Sequence, residues 1–163
     1  MPSITPCLWF DTEAEQAAEL YVSVFPGSEI VDVSRSGPDM PGPAREGDVL
    51  TVEFRLGGTP FTALNGGPQV SFSEAVSFQI ACADQAEVDH YWDRLTDRGE
   101  ESRCGWLKDR FGVSWQVVPD RLVQLMADPD PARAQAAVQA MLVMRRIVVA
   151  DLESAADAAG ASV

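Results

Sequence analysis

The strongest constraint on the fold is a strand-and-helix order that occurs twice in the chain. A short apolar segment leads through Asp11 into a helix that carries Tyr21. The same order returns about seventy residues later, where Asp84 precedes a helix that carries Tyr91. Self-similarity at this offset indicates an internal duplication, so the two halves are predicted to share one architecture.

The second copy, residues 75–119, shows the pattern most clearly. Its first strand is predicted by apolar residues at alternating positions, Val76, Phe78, Ile80 and Cys82. Asp84 and Glu87 form an N-cap pair for the helix that follows, and Gly99 ends it. The apolar stripe of this helix comprises Val88, Tyr91, Trp92 and Leu95. Two further strands are predicted, Glu101–Lys108 and Val113–Val118, joined by a turn at Asp109–Gly112.

The first copy follows the same order. A capping box of Thr12 and Glu15 is predicted to start its helix, and Pro26-Gly27 to end it. The helix carries Ala14, Ala17, Ala18, Tyr21 and Phe25 at helical intervals. Three strands follow, Glu29–Ser34, Val49–Leu56 and Thr59–Asn65, with a hairpin turn at Gly57-Gly58. The intervening Ser36–Gly47, rich in glycine and proline, is predicted to be a mobile loop.

These patterns predict an α+β protein of two modules followed by helices. We place the first module at residues 1–66, a joint at 67–74, the second module at 75–119 and a helical C-terminal extension at 120–163. The extension is predicted to contain a short helix at Leu122–Met126, a helix at Ala132–Val143 and a terminal helix at Asp151–Ala159. In the second of these, Val138, Met141 and Leu142 form the apolar stripe. The extension packs either over the modules or onto a second subunit.

Charge and composition narrow the classes of partner. The formal net charge is −13, which repels phosphate backbones and anionic lipid surfaces, so we expect neither nucleic acid nor membrane as a partner. Cys7, Cys82 and Cys104 are widely spaced and include no CxxC pair, which disfavours a disulfide framework or a zinc knuckle. The first ten residues show no signal-peptide pattern, so the expected location is the cytoplasm.

Three short runs, read with the two modules, resemble a known family. They are Leu-Asn-Gly-Gly at residues 64–67, Cys-Gly-Trp-Leu-Lys-Asp at 104–109 and Phe-Gly-Val-Ser-Trp-Gln at 111–116. The chain resembles the PhnB-like branch of the vicinal oxygen chelate superfamily, which includes glyoxalases, bleomycin-resistance proteins and dioxygenases. Some members are labelled 3-demethylubiquinone-9 3-methyltransferase. The resemblance implies paired βαβββ modules whose curved sheets form half-cups, a homodimer, and a small molecule held inside the cup.

The resemblance also places the positions that hold a metal ion in the metal-dependent members of the superfamily. In this chain they fall on Ser77, Ile4, Gln116 and, less directly, Asn65. None is a carboxylate or an imidazole, the donors that a divalent cation requires, so we predict no metal and no other cofactor. The single histidine, His90, lies off the apolar stripe of its helix and is predicted to be a surface residue.

Uncharged polar residues on the predicted strands are the candidate ligand contacts. These are Asn65, Ser77, Gln79 and Gln116, together with the aromatic residues Trp106 and Trp115. The polar side chains either orient a small molecule or satisfy backbone groups at the ends of strands, and the tryptophans either stack on a planar ligand or belong to the core.

Catalytic residues are not identified by the sequence, and Cys104 and Gln116 are its weak candidates. Cys104 is either a nucleophile or a structural cysteine, and the Gln116 amide would polarise a carbonyl. A methyltransferase of the common Rossmann-like type needs a glycine-rich loop between a strand and a helix, whereas Gly57-Gly58 and Gly66-Gly67 lie between strands. Two functions stay open: an enzyme acting on a small organic molecule, or a stoichiometric binder of an aromatic drug or metabolite. In a third alternative, the cups are filled by their own side chains.

Overall fold

In a computed structural model that describes residues 2–38 and 45–161, the chain forms two compact units, Met1–Phe72 and Ser73–Val163. Each unit contains one curved, open four-stranded sheet. Among the described residues, no helix combines the length and the apolar character needed to cross a bilayer.

The first unit contains one helix and four strands. The strands are Cys7–Phe10 (β1), Glu29–Arg35 (β2), Val49–Leu56 (β3) and Thr59–Asn65 (β4), and the helix is Ala14–Val24 (α1). Their order in the sheet is β1-β4-β3-β2, with β1 parallel to β4 and the other pairs antiparallel. The predicted hairpin turn is confirmed, since Gly57 and Gly58 have φ values of +53° and +88° between β3 and β4.

The second unit repeats this module and then adds three helices. Its strands are Phe78–Cys82 (β5), Glu100–Glu101 (β6), Trp106–Lys108 (β7) and Ser114–Pro119 (β8), and α2 is Gln85–Thr96. The order β5-β8-β7-β6 reproduces that of the first sheet. As in that sheet, the strand that comes first in the chain, β5, runs parallel to the one that comes last, β8. The predicted α+β fold of paired βαβββ modules is therefore confirmed. Val76, predicted to belong to the first strand, lies before β5 and is 70% exposed.

In each unit one face of the sheet packs against the helix. In the first, Tyr21 of α1 is fully buried and contacts Phe54 with ring centroids 6.1 Å apart. In the second, the buried aromatic residue of α2 is Trp92, whereas Tyr91 is only half-buried. The structural counterpart of Tyr21 is thus Trp92, and its predicted correspondence to Tyr91 is wrong by one residue.

The prediction for the start of α1 is wrong and the prediction for the start of α2 is confirmed. Asp84 accepts a hydrogen bond from the Glu87 backbone N–H at 3.0 Å, as the N-cap pair requires. At α1, no side chain of the N-cap residue makes a capping bond. The first helical N–H, that of Ala14, donates instead to Oδ1 of Asn65 at 2.8 Å, so a residue from β4 replaces the predicted Thr12–Glu15 box.

The strand predicted at Glu101–Lys108 is interrupted. Cys104 and Gly105 both take positive φ values, +57° and +81°, and separate β6 from β7. Their backbone N–H groups donate to the carbonyl oxygens of Met144 and Arg145, each at 2.8 Å. The C-terminal extension therefore holds this bend, because it supplies the hydrogen-bond acceptors that a strand partner would otherwise provide.

The extension forms three helices, Asp120–Met126 (α3), Pro131–Leu142 (α4) and Val149–Gly160 (α5). Their buried cluster consists of Leu122, Leu125, Ala137, Ile147, Leu152 and Ala156. The apolar stripe predicted for α4 is shifted, because Ala137 is its buried residue while Leu142 is 46% exposed. The helices pack within the second unit, and packing onto a second subunit stays untested.

The predicted loop Ser36–Gly47 is described only at its base. The Gly47 N–H donates to the Ser36 carbonyl at 2.9 Å, and the Ser36 N–H donates to the Asp48 carbonyl at 2.8 Å. Residues 39–44, which include Pro41, lie outside the described residues.

Candidate functional site

A cavity lies in the first unit, where the parallel strands β1 and β4 end. Its volume is about 630 Å³, and its wall includes Trp9, Val49, Leu64 and Pro68. Trp9 stands between Leu8 and Phe10, which are 7% and 3% exposed on the core face, and so lies on the other face of the sheet. A cavity of this size with apolar walls fits a small organic molecule.

The indole of Trp9 is held in a fixed position in this cavity. Its Nε1–H donates to the carbonyl oxygen of Gly67 at 2.9 Å. A Cβ atom at residue 66 would lie 2.2 Å from the indole ring, so glycine at this position allows the chain to pass the ring closely. The Leu-Asn-Gly-Gly run thus includes the backbone that positions an aromatic wall.

Asn65 has a structural role at the edge of the same cavity. Besides capping α1, its side chain donates from Nδ2 to the carbonyl oxygen of Val49 at 3.0 Å. Both ends of the amide are therefore engaged by backbone groups, which matches the structural alternative for this residue. A direct contact of Asn65 with a ligand remains a prediction.

The rim of the first cavity carries negative charge. Asp11, Glu15 and Asp48 are part of its wall. Glu15 pairs with Arg35 at 3.2 Å. The three carboxylates outnumber the one guanidinium that pairs with them, so the net charge at the rim is negative. This charge disfavours anionic ligands and favours uncharged or cationic ones.

Four of the predicted contact residues come together in the second unit. Gln116 of β8 is the register partner of both Gln79 on β5 and Trp106 on β7, so the three side chains form a row on the face opposite the helix. Gln116 also donates from Nε2 to Oγ of Ser77 at 2.9 Å. We call Ser77, Gln79, Gln116 and Trp106 the polar row.

Trp115 lies on the other face of the second sheet. It is 2% exposed, and its ring centroid is 5.4 Å from that of Phe78. Its Nε1–H donates to Oδ2 of Asp109 at 2.9 Å. The indole is therefore packed in the core of the unit, and almost none of its surface is accessible for the predicted contact with a ligand.

The residues at the positions implied for a metal ion do not fit one. Ser77 and Gln116 offer only uncharged oxygens, and Oγ of Ser77 already accepts a hydrogen bond from Nε2 of Gln116. Ile4 lies ahead of β1 and is 92% exposed. Within residues 2–38 and 45–161, no group of three or more His, Cys, Asp or Glu is arranged to hold a metal ion.

The three cysteines differ in their surroundings. Cys82 is fully buried, and burial together with the nearby carboxylate of Glu87 raises the pKa of its thiol to about 12, so it is not a nucleophile at neutral pH. Cys7 is exposed. Cys104 is half-buried and lines a smaller hollow beside β7. His90 is exposed on α2, as predicted.

A family model described as 3-demethylubiquinone-9 3-methyltransferase matches residues 2–118. The chain belongs to this family. The predicted membership of the PhnB-like branch of the vicinal oxygen chelate superfamily is thereby confirmed. The match ends before α3, so the three helices of the extension lie outside the family domain.

One solved structure supports this assignment, and two more distant ones share the fold. The PhnB protein from Bacillus cereus, described provisionally as a 3-demethylubiquinone-9 3-methyltransferase, is 33% identical, with a TM-score of 0.65 over 72% of this chain and 99% of that one. Protein PA1353 from Pseudomonas aeruginosa is 22% identical, with a TM-score of 0.61 over 73% and 98% of the two chains. The fosfomycin resistance protein FosX from Mesorhizobium loti shares the fold at 14% identity, with a TM-score of 0.54 over 78% and 98%. No curated protein matches the chain.

The family description implies a methyl donor such as S-adenosylmethionine. Rossmann-like methyltransferases bind this donor at a glycine-rich junction between a strand and a helix, and the described junctions of this chain do not match that pattern. Residues 11–13 between β1 and α1 are Asp, Thr and Glu, and residues 83–84 between β5 and α2 are Ala and Asp. Strand β8 leads directly into α3. None of these described junctions contains the glycine-rich turn that lets a backbone approach a nucleotide.

Proposed function

We propose that this protein binds a small aromatic molecule without a metal ion, in the first-unit cavity. The observation that carries the proposal is the 630 Å³ cavity with the indole of Trp9 fixed in its wall by Gly66 and Gly67. An aromatic ring held in place loses little entropy when a planar ligand stacks on it, so the site is organised before binding. The carboxylates on the rim favour a ligand without negative charge.

The polar row of the second unit supports binding more than chemistry. Its amides and hydroxyl donate and accept hydrogen bonds without ionising, which suits recognition of a carbonyl or hydroxyl group. Stoichiometric binding is thus our first candidate function. Turnover of a small molecule bound in the second unit is the second candidate, favoured by the position of Cys104 in the hollow beside β7, with Gln116 of β8 as the amide that would polarise a carbonyl. We infer no methyltransferase activity, because the described junctions lack the donor loop. The resemblance also supports a homodimer, which light scattering after gel filtration tests directly. We propose a cytoplasmic location as well.

A thermal-shift screen against quinones, antibiotics and thiol conjugates tests the binding proposal. A compound that binds only the folded protein raises Tm, and we expect at least one aromatic compound without negative charge to do so. Trp9→Ala is expected to weaken that compound about tenfold, because the stacking contact is lost, while Trp9→Phe keeps most of the affinity. Circular dichroism confirms that each variant is folded. A panel with no stabilising compound, or a hit that Trp9→Ala leaves unchanged, contradicts the proposal. Turnover of the hit separates enzyme from binder.

A further inference from the structure

The second unit contains a hollow of about 400 Å³ beside β7 whose lining differs in charge from that of the first-unit cavity. Ser114, Lys108 and Trp106 line it from the sheet, and Ser102 and Arg103 line it from the preceding bend. Two cations at one hollow are notable in a chain whose formal net charge is −13. The hollow combines hydroxyl donors, positive charge and an aromatic wall.

Ser114 is the first sign that this hollow receives a ligand. The residue is 2% exposed, and its Oγ has no hydrogen-bond partner within the described part of the chain. A buried hydroxyl without a partner is unfavourable and uncommon in folded proteins. A polar group bound in the hollow would supply the missing partner.

Lys108 shows which polar group fits. It is the register partner of Ser114, so the two side chains start about 5 Å apart on one face of the sheet. Its Nζ lies 2.9 Å from Oε1 of Glu74, and this carboxylate raises the pKa of Lys108, which keeps the ammonium charged. A carboxylate thus already occupies the mouth of the hollow.

Glu74 is a displaceable occupant. Its side chain is 62% exposed and that of Lys108 is 34% exposed, and a single ion pair in such surroundings is weak. A ligand carboxylate that reached both Lys108 and Ser114 would make a second hydrogen bond that the Glu74 ion pair lacks. The exchange keeps one carboxylate against the ammonium and gives the Ser114 hydroxyl an acceptor.

We propose that this hollow binds the carboxylate of a small aromatic acid. The acid displaces Glu74 from Lys108, accepts a hydrogen bond from the Ser114 hydroxyl and places its ring against Trp106. This site shares no residue with the first-unit cavity, so it stands whether or not that cavity binds a ligand.

The single lysine of the chain allows a direct measurement. Protein labelled with ¹³C-lysine gives one side-chain Cε resonance, which reports Lys108 alone. Titration with 2-naphthoate is expected to shift this resonance saturably. The uncharged analogue 2-naphthylmethanol is expected to bind at least tenfold more weakly, because it cannot replace the carboxylate at the ammonium.

Two variants complete the test. Ser114→Ala is expected to weaken 2-naphthoate about tenfold, since a hydrogen bond to a charged acceptor is lost. Glu74→Gln is expected to tighten binding severalfold, since the competing charge is removed from an exposed side chain. Equal affinities for naphthoate and naphthylmethanol, or no saturable shift in either the unmodified protein or Glu74→Gln, overturn the proposal. Trp9→Ala is expected to leave naphthoate binding unchanged, which separates this site from the first-unit cavity.

Discussion

Gly105→Ala is expected to lower the free energy of unfolding of the second unit by about 3–5 kcal/mol. The residue has φ +81°, where a side chain is strained, and a Cβ there would lie 2.6 Å from the carbonyl oxygen of Val117 and 3.2 Å from Cγ1 of Ile147. The Val117 oxygen belongs to the backbone of β8, so it cannot move without disturbing the sheet. Urea unfolding followed by circular dichroism and tryptophan fluorescence measures the loss.

Gly58→Ala is the matched control for this substitution. Gly58 has φ +88°, but nothing lies within 4 Å of a Cβ built there. Only the conformational strain remains, about 1–2 kcal/mol for its own unit. If the two substitutions reduced stability equally, close packing of the bend at Gly105 against β8 and the extension would be refuted.

Asp109→Ala is expected to cost about 3–4 kcal/mol of stability, the second large effect. Asp109 is 3% exposed, and its carboxylate accepts hydrogen bonds from the Phe111 and Val113 N–H groups at 2.8 and 3.1 Å and from Trp115 Nε1 at 2.9 Å. Alanine leaves these donors without their acceptor in the interior, and the turn that aligns β7 with β8 loses its support. The same unfolding experiment measures the effect.

Two further substitutions sharpen the Asp109 experiment. Asp109→Asn keeps one carbonyl acceptor for the turn and should fall between the native protein and alanine. Asp97→Ala removes a carboxylate that is 58% exposed and pairs with Arg98 and Arg110, and the loss of such surface ion pairs should cost at most about 1 kcal/mol. An Asp109→Ala protein as stable as Asp97→Ala would show that the buried carboxylate does not stabilise the turn.

Much of the fold was predictable because its signals are local. The alternation of apolar residues and the two central glycines identified the β3–β4 hairpin, with the bounds found in the structure, Val49–Leu56 and Thr59–Asn65. The duplication then implied that the second sheet repeats the first. The same alternation and the strand register explain why Gln79, Gln116 and Trp106 share one face.

The errors arose where distant residues decide local structure. The cap of α1 comes from Asn65, 51 residues along the chain from Ala14, so no local motif reveals it. The bend at Cys104 depends on carbonyl groups of Met144 and Arg145. Trp9 was missed because it lies in a continuous apolar run, although its place between two core-facing residues, Leu8 and Phe10, is a signal that puts it on the opposite face.

The central claim is that ligands contact Trp9 and Trp106, which lie on the sheet faces opposite the cores. Ligands are not expected to contact Trp92 and Trp115, which lie in the cores. Trp9 and Trp106 line the cavities, whereas Trp92 and Trp115 are 1% and 2% exposed. Protein labelled with 5-fluorotryptophan gives one ¹⁹F resonance for each of the four, assigned from single Trp→Phe variants. Titration with the most stabilising compound of the thermal-shift panel should move the Trp9 resonance and leave those of Trp92 and Trp115 in place. Movement of Trp92 or Trp115 while Trp9 stays fixed would contradict the account.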